Sequence, residues 1–120
     1  MSGPRLHHVS VLVSDLDRAL RFYEGLLGLQ QVQRPELGYP GAWLSLGDQQ
    51  IHLLRLPGPE ADRTVPVGSD RHLALAVEDL EEVMGRLEDA GLALARSRSG
   101  REACFCRDPD GNGIELIAMR

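Results

Sequence analysis

At 120 residues with 42% hydrophobic content, the chain can build one compact domain with its own core but not two ordinary ones. A formal net charge of −5 without any basic run argues against nucleic acid or an acidic membrane surface as a partner, since both are polyanions. All 13 basic residues are Arg, which excludes Schiff-base chemistry and a lysine general base.

The start, Met1-Ser2-Gly3-Pro4-Arg5, has no apolar segment of signal-peptide length, and no stretch approaches the roughly 20 residues of a membrane span. Leu6 to Val13 is short, apolar and β-branched, the pattern of a strand buried on at least one face. Ser14-Asp15-Leu16-Asp17 has the form of a helix N-terminus with an acid three residues on. Leu16, Ala19, Leu20, Tyr23 and Leu27 then fall on one helix face, and Gly28 stands where the helix should end. Leu29 to Gln33 reads as a short strand and the Pro35, Gly38, Pro40, Gly41 cluster as a loop. Ala42–Leu46 and Gln50–Leu54 read as two strands joined by a Gly47-Asp48 turn, which completes βαβββ.

Residues 57–69 hold three prolines and two glycines without helical or strand period, and read as a linker with possible lid duty. Beyond it the opening pattern returns. With His8 laid on His72, 64 residues on, Val13 falls on Val77, Asp15 on Asp79 and Leu16 on Leu80. Leu80, Val83, Met84, Leu87 and Ala90 make a second apolar helix face, ended by Gly91. Strands are expected at 92–97, 102–107 and 113–118, the last two joined by the turn formers Asp108-Pro109-Asp110-Gly111-Asn112. The expected fold is α+β: one domain over residues 1–120, made of two βαβββ modules, about 5–56 and 70–120. Cys104 and Cys106 leave the same face of one strand and are poorly placed for a mutual disulfide. They read as small buried hydrophobes in a reducing, cytoplasmic protein.

Four side chains of metal-ligand type recur on this duplicated frame. His8 and His52 lie on the first and last strands of module one, 44 residues apart; His72 and Glu115 lie on the corresponding strands of module two, 43 apart. If first and last strands are neighbours, each pair converges. Three imidazoles and a carboxylate would then hold a divalent cation with positions left for water or for two substrate oxygens. Taken singly, a histidine is more often structural and a strand glutamate more often solvent-facing; the fourfold coincidence favours metal. His7, on the opposite strand face from His8 by alternation, reads as structural or surface-exposed. Trp43 reads equally as core or pocket. No serine-nucleophile elbow, phosphate loop or dinucleotide fingerprint is present.

Four stretches, His8-Val9-Ser10 to Leu29, Gly41-Ala42-Trp43-Leu44-Ser45-Leu46-Gly47, Arg71-His72 to Leu80 and Phe105 to Leu116, resemble the vicinal oxygen chelate superfamily over nearly the whole chain. That superfamily includes glyoxalase I, methylmalonyl-CoA epimerase, extradiol dioxygenases, fosfomycin-thiol transferases and metal-free bleomycin resistance proteins. The resemblance implies cupped mixed sheets around a metal and ligand cavity. It also implies a divalent ion (Ni, Zn, Fe, Mn or Co) held by His8, His72 and Glu115, with His52 where glyoxalase I and the epimerase carry Glu or Gln. Ser10, Trp43 and Phe105 fall at substrate-binding positions. Glu115 and His52 are the candidate proton shuttles of a glyoxalase I-like lyase or isomerase acting on a small substrate chelated through two oxygens. An iron-dependent extradiol-type dioxygenase using His8, His72 and Glu115 is the alternative enzyme, and an antibiotic-binding resistance protein the alternative outside catalysis. Ala95 and Phe105 replace the lysine and tyrosine of the fosfomycin-thiol transferases, which ranks that activity low. The resemblance further implies a homodimer with shared sites; the charge already argues against nucleic acid and membrane as partners.

Overall fold

A computed structural model describes residues 3–119. The chain divides into two compact units between Pro59 and Glu60, inside the expected linker. Each unit carries a four-stranded mixed sheet of the same topology, so the duplication read from the sequence is a duplication of structure.

In unit one, β1 (His8–Leu12) leads into α1 (Leu16–Leu20), followed by β2 (Gln30–Val32), β3 (Gly41–Leu46) and β4 (Gln49–Leu54). The sheet order is β1-β4-β3-β2, with β1 parallel to β4 and the remaining pairs antiparallel. First and last strands are thus neighbours. One face, carrying Val11, Ala42, Leu44, Ile51 and Leu53, is buried together with Ala19, Phe22 and Tyr23 of the helical segment. The opposite face carries His8, Ser10, Trp43, Gln50 and His52 by strand alternation and register.

The helix departs from the expected one in its cap residue and in its second half. Its N-cap is Asp15, whose carboxylate accepts from Arg18 N at 3.0 Å, while Ser14 Oγ accepts from the Arg18 guanidinium. After one α-helical stretch the chain widens into π-helical turns over Arg21–Leu26, and Leu27 N reaches back five residues to Phe22 O. Widening turns Phe22 inward beside Tyr23, where their rings meet edge to face at 4.9 Å, and leaves Leu27 only half-buried. Gly28, at φ 78°, ends the helix as expected.

Unit two repeats the plan with β5 (His72–Val77), α2 (Leu80–Asp89), β6 (Ala95–Arg96), β7 (Ala103–Arg107) and β8 (Gly113–Ala118), in order β5-β8-β7-β6. Asp79 caps α2 through Glu82 N, as Asp15 caps α1. Gly91 closes it with paired bonds, Gly91 N to Glu88 O and Leu92 N to Leu87 O. Leu80, Val83, Met84 and Leu87 are buried as their spacing predicts. The expected strand at 92–97 shrinks to Ala95–Arg96. The chain needs Gly91 and the residues after it to turn off the helix, and Ser97 already closes the loop to β7 by bonding Ala103 O. The turn between β7 and β8 is built on buried Asp108, whose carboxylate accepts from Asp110 N, Asn112 N and Asn112 Nδ2.

The later part of the linker belongs to unit two. Arg107 donates to Val65 O and to the Asp70 carboxylate, Arg63 donates to Pro109 O, and Phe105 packs so closely on Gly68 that a Cβ there would lie 2.7 Å from its ring. Among the described residues no helix is long and apolar enough to cross a membrane.

Candidate functional site

The structure brings the four candidate ligands together as two pairs, one on each unit. In unit one the register sets Ser10 and Trp43 on either side of His52, with His8 two residues down the same face. His52 is sandwiched: its ring stacks on His8 at 4.1 Å and 15° and on Trp43 at 4.3 Å and 8°. Only 8% of it is exposed, and burial, followed by His8, His7 and Arg34, pushes its pKa below the ordinary histidine value. In the neutral imidazole Nε2–H donates to Gln50 Oε1 at 2.7 Å, which leaves Nδ1 as the lone-pair nitrogen. Trp43 therefore belongs to the polar face, not to the core beneath the sheet.

His7 is exposed, as expected; its carbonyl still accepts from Gln50 N, and its ring turns to His8, the two Nδ1 atoms 2.9 Å apart with the rings edge to face.

In unit two, Glu115 is 4% exposed at the centre of its sheet, beside Ala74 and Phe105 in register. His72 Nδ1–H donates to Asp70 O at 2.9 Å, so in the neutral imidazole Nε2 carries the lone pair, and it faces Glu115 Oε1 at 3.4 Å. A nitrogen lone pair and a carboxylate oxygen facing each other call for a positive charge between them, a proton or a metal ion. Two ligands about 2.1 Å from one ion at a tetrahedral angle are separated by about 3.4 Å, so this pair has the edge length of a zinc-type site. The backbone carbonyl behind His72 is the outer partner that ligating histidines ordinarily have. Phe105 meets His72 edge to face at 5.6 Å. Gly113 lies under His72, where a Cβ would come within 2.9 Å of the histidine's own.

Arg101, which no periodicity singles out because it lies in the β6–β7 loop, donates from Nη2 to Glu115 Oε2 at 3.0 Å. Gln50 and Asp70 were equally invisible in sequence, since each acts through a hydrogen bond to a histidine two residues along. Ser10 is exposed and lies beside His52 in register, on the same face.

Among the described residues no three His, Cys, Asp or Glu side chains gather closely enough to hold a metal ion. Each unit by itself supplies two. Cys104 and Cys106 are free and buried on the other sheet face, and burial pushes the Cys106 thiol up to about 12. They take no part.

Residues 5–116 match the family model described as Glyoxalase/Bleomycin resistance protein/Dioxygenase superfamily. The chain is 35% identical over 119 residues to "Glyoxylase I 4" of Arabidopsis thaliana, covering 92% of this chain and 68% of that protein. It is 34% identical over 120 residues to "Glutathione transferase FosA" of Serratia marcescens, covering 92% and 78%. Among solved structures it is similar to TnmS3, an antibiotic binding protein from Streptomyces sp. CB03234, with a TM-score of 0.75 and 25% identity over 100% of this chain and 99% of that one.

Proposed function

The chain belongs to the glyoxalase/bleomycin resistance protein/dioxygenase superfamily, and from that membership we propose that it is a divalent-metal-dependent enzyme of the glyoxalase I-like lyase or isomerase type. The observation that carries the reading is the facing of His72 Nε2 and Glu115 Oε1 at 3.4 Å, each atom presented by an outer partner. Imidazole and carboxylate donors suit Zn, Ni, Fe, Mn or Co. His8 and His52 complete the set, His52 through Nδ1. The reading includes a homodimer with shared sites, as the resemblance implies. When bound, the ion supplies Lewis-acid stabilisation to the developing oxyanion of a small substrate that chelates it through two oxygens.

The protein's own groups do the rest. Glu115 is one candidate for taking and returning a substrate proton; His52, whose pKa burial lowers, is the other, and it serves as base only with Nδ1 off the ion, since Nε2–H is given to Gln50. Trp43 and Phe105 offer ring surface beside the two pairs, and Ser10 a hydroxyl on the His52 face. Names among the relatives, including "Probable lactoylglutathione lyase" of Vibrio parahaemolyticus, support lyase chemistry.

The test is stoichiometric metal in protein purified without a tag, its loss in H72A, and metal-dependent turnover in a lactoylglutathione lyase assay. Metal content unchanged in H72A would refute the site. A second reading, binding without catalysis, draws on the stack of Trp43, His52 and His8 and on the likeness to an antibiotic binding protein. Tight binding of a planar ligand by metal-free protein would favour it.

A further inference from the structure

Glu115 has two oxygens and they are used differently. Oε1 faces His72 Nε2 at 3.4 Å, whereas Oε2 accepts from Arg101 Nη2 at 3.0 Å. A carboxylate can bind a metal through one oxygen or through both, and nothing in a strand glutamate chooses between them. Here the choice is made from outside the strand. We infer that Arg101 is a positioning residue: by pinning Oε2 it leaves Oε1 as the single oxygen presented beside His72, so that Glu115 binds a divalent ion through one oxygen.

The pin is braced along a continuous path. Ser97 N bonds Ala103 O and so ties the loop to β7; Ser97 Oγ contacts Ser99 Oγ at 2.8 Å; Ser99 Oγ accepts from Arg101 Nε at 3.3 Å and from Arg101 N at 3.4 Å. The guanidinium is consequently held by the loop on one edge and by Glu115 on another, although its side chain is 58% exposed. A surface ion pair is worth little because two long side chains must be ordered to make it. This one joins a loop-braced arginine to a carboxylate that is 5% exposed, so little ordering remains to oppose it. The planar fork of arginine suits the task in a way that lysine's point charge does not. The two contacts use different oxygens, so metal and Arg101 are compatible partners of one carboxylate.

The inference rests on the metal reading above, and the experiment separates the two. Metal-free wild type, R101Q, R101K and E115Q are titrated with Co²⁺, following the visible absorption of the bound ion, and with Zn²⁺ against a colorimetric chelator. R101Q should bind about 10- to 100-fold more weakly, the range for loss of an outer partner. Its Co²⁺ bands should also change in intensity as the released carboxylate offers both oxygens. R101K should keep part of the affinity but show the altered spectrum. Melting curves of the metal-free proteins verify folding. R101Q with affinity within about twofold of wild type and an unchanged Co²⁺ spectrum overturns the inference while E115Q still loses the metal. E115Q binding as wild type does means that the metal reading itself has failed, and this inference with it.

Discussion

Replacing Gly113 with alanine tests whether the close approach of β5 and β8 at His72 requires a glycine. Gly113 pairs with His72 in the parallel β5–β8 ladder, and a Cβ at 113 would lie 2.9 Å from His72 Cβ and 3.0 Å from Arg71 O. Carbon atoms prefer about 3.5 to 4.0 Å, and neither contact is the flexible end of a side chain, so the strands must part by roughly half an ångström or more. Overpacking of this kind costs about 1 to 3 kcal/mol. With an unfolding entropy of about 2.1 cal/mol/K per residue, a chain of this length changes Tm by about 4 °C per kcal/mol, so G113A should melt about 4 to 12 °C below wild type. Gly85 is the control: it lies inside α2, its Cβ would meet nothing within 4 Å, and alanine is the better helix former by up to about 1 kcal/mol. G85A should therefore melt up to about 4 °C higher. Thermal unfolding followed by circular dichroism reads both. G113A melting within about 1 °C of wild type would refute the claim that this glycine is required by packing.

Other consequences can be checked directly. Cys104 and Cys106 should resist alkylation by iodoacetamide at pH 8 in the native protein and react fully in urea, since both are buried and both thiols are pushed up; rapid native labelling would contradict this. Asp70 is held below the usual carboxylate range first by its hydrogen bond from Arg107, so the native state releases this proton more readily than the unfolded chain. The resulting stability is complete above about pH 5 and is lost as pH falls from about 4 through the native value. D70N should thus show a smaller drop in urea midpoint between pH 7 and pH 3 than wild type, and an equal drop would count against the pair. If the sites are shared across a homodimer as proposed, mixing H8A with E115A subunits through joint unfolding and refolding should restore metal binding to the mixture, because in a twofold dimer one of two shared sites regains all its ligands. Demonstrated heterodimers without recovered metal would mean that the set comes from a single chain.

Much of the fold was legible because its signals are local and occur twice. Asp15 and Asp79 cap equivalent helices, Gly28 and Gly91 end them, and the strand order that makes first and last strands neighbours follows in both units. That neighbour relation is what turned spacings of 44 and 43 residues into two converged pairs. What sequence did not disclose depends on side-chain direction or on a loop. The π-helical turns arise from a shift in hydrogen-bonding partner that an apolar pattern at 3.6-residue spacing does not encode, and they brought Phe22 into the core. The contact between the His7 and His8 rings was not legible either, because alternation sets where Cβ points and not where a ring turns. Arg101 reaches Glu115 from a loop 14 residues earlier in the chain, where neither period nor turn chemistry points to a target.

The two registers, laid on each other, show why the halves solve one problem by different means. His8 pairs with Gln50 as His72 pairs with Gly113, so Gln50 and Gly113 are equivalent, and two residues on His52 is equivalent to Glu115. Trp43 beside His52 corresponds to Phe105 beside Glu115, and Ser10 to Ala74. In unit one the side chain at the Gln50 position is the partner that takes His52 Nε2 at 2.7 Å. In unit two the same position must be glycine, because His72 lies too close to admit a Cβ. The strand can then offer Glu115 no partner of its own, and the loop supplies Arg101 in its place. The residues at 50 and 52, and those at 101, 113 and 115, are therefore coupled choices. Exchanging one member alone, such as Gln50 for glycine, would leave His52 with the ring stack but without the bond that selects its lone-pair nitrogen.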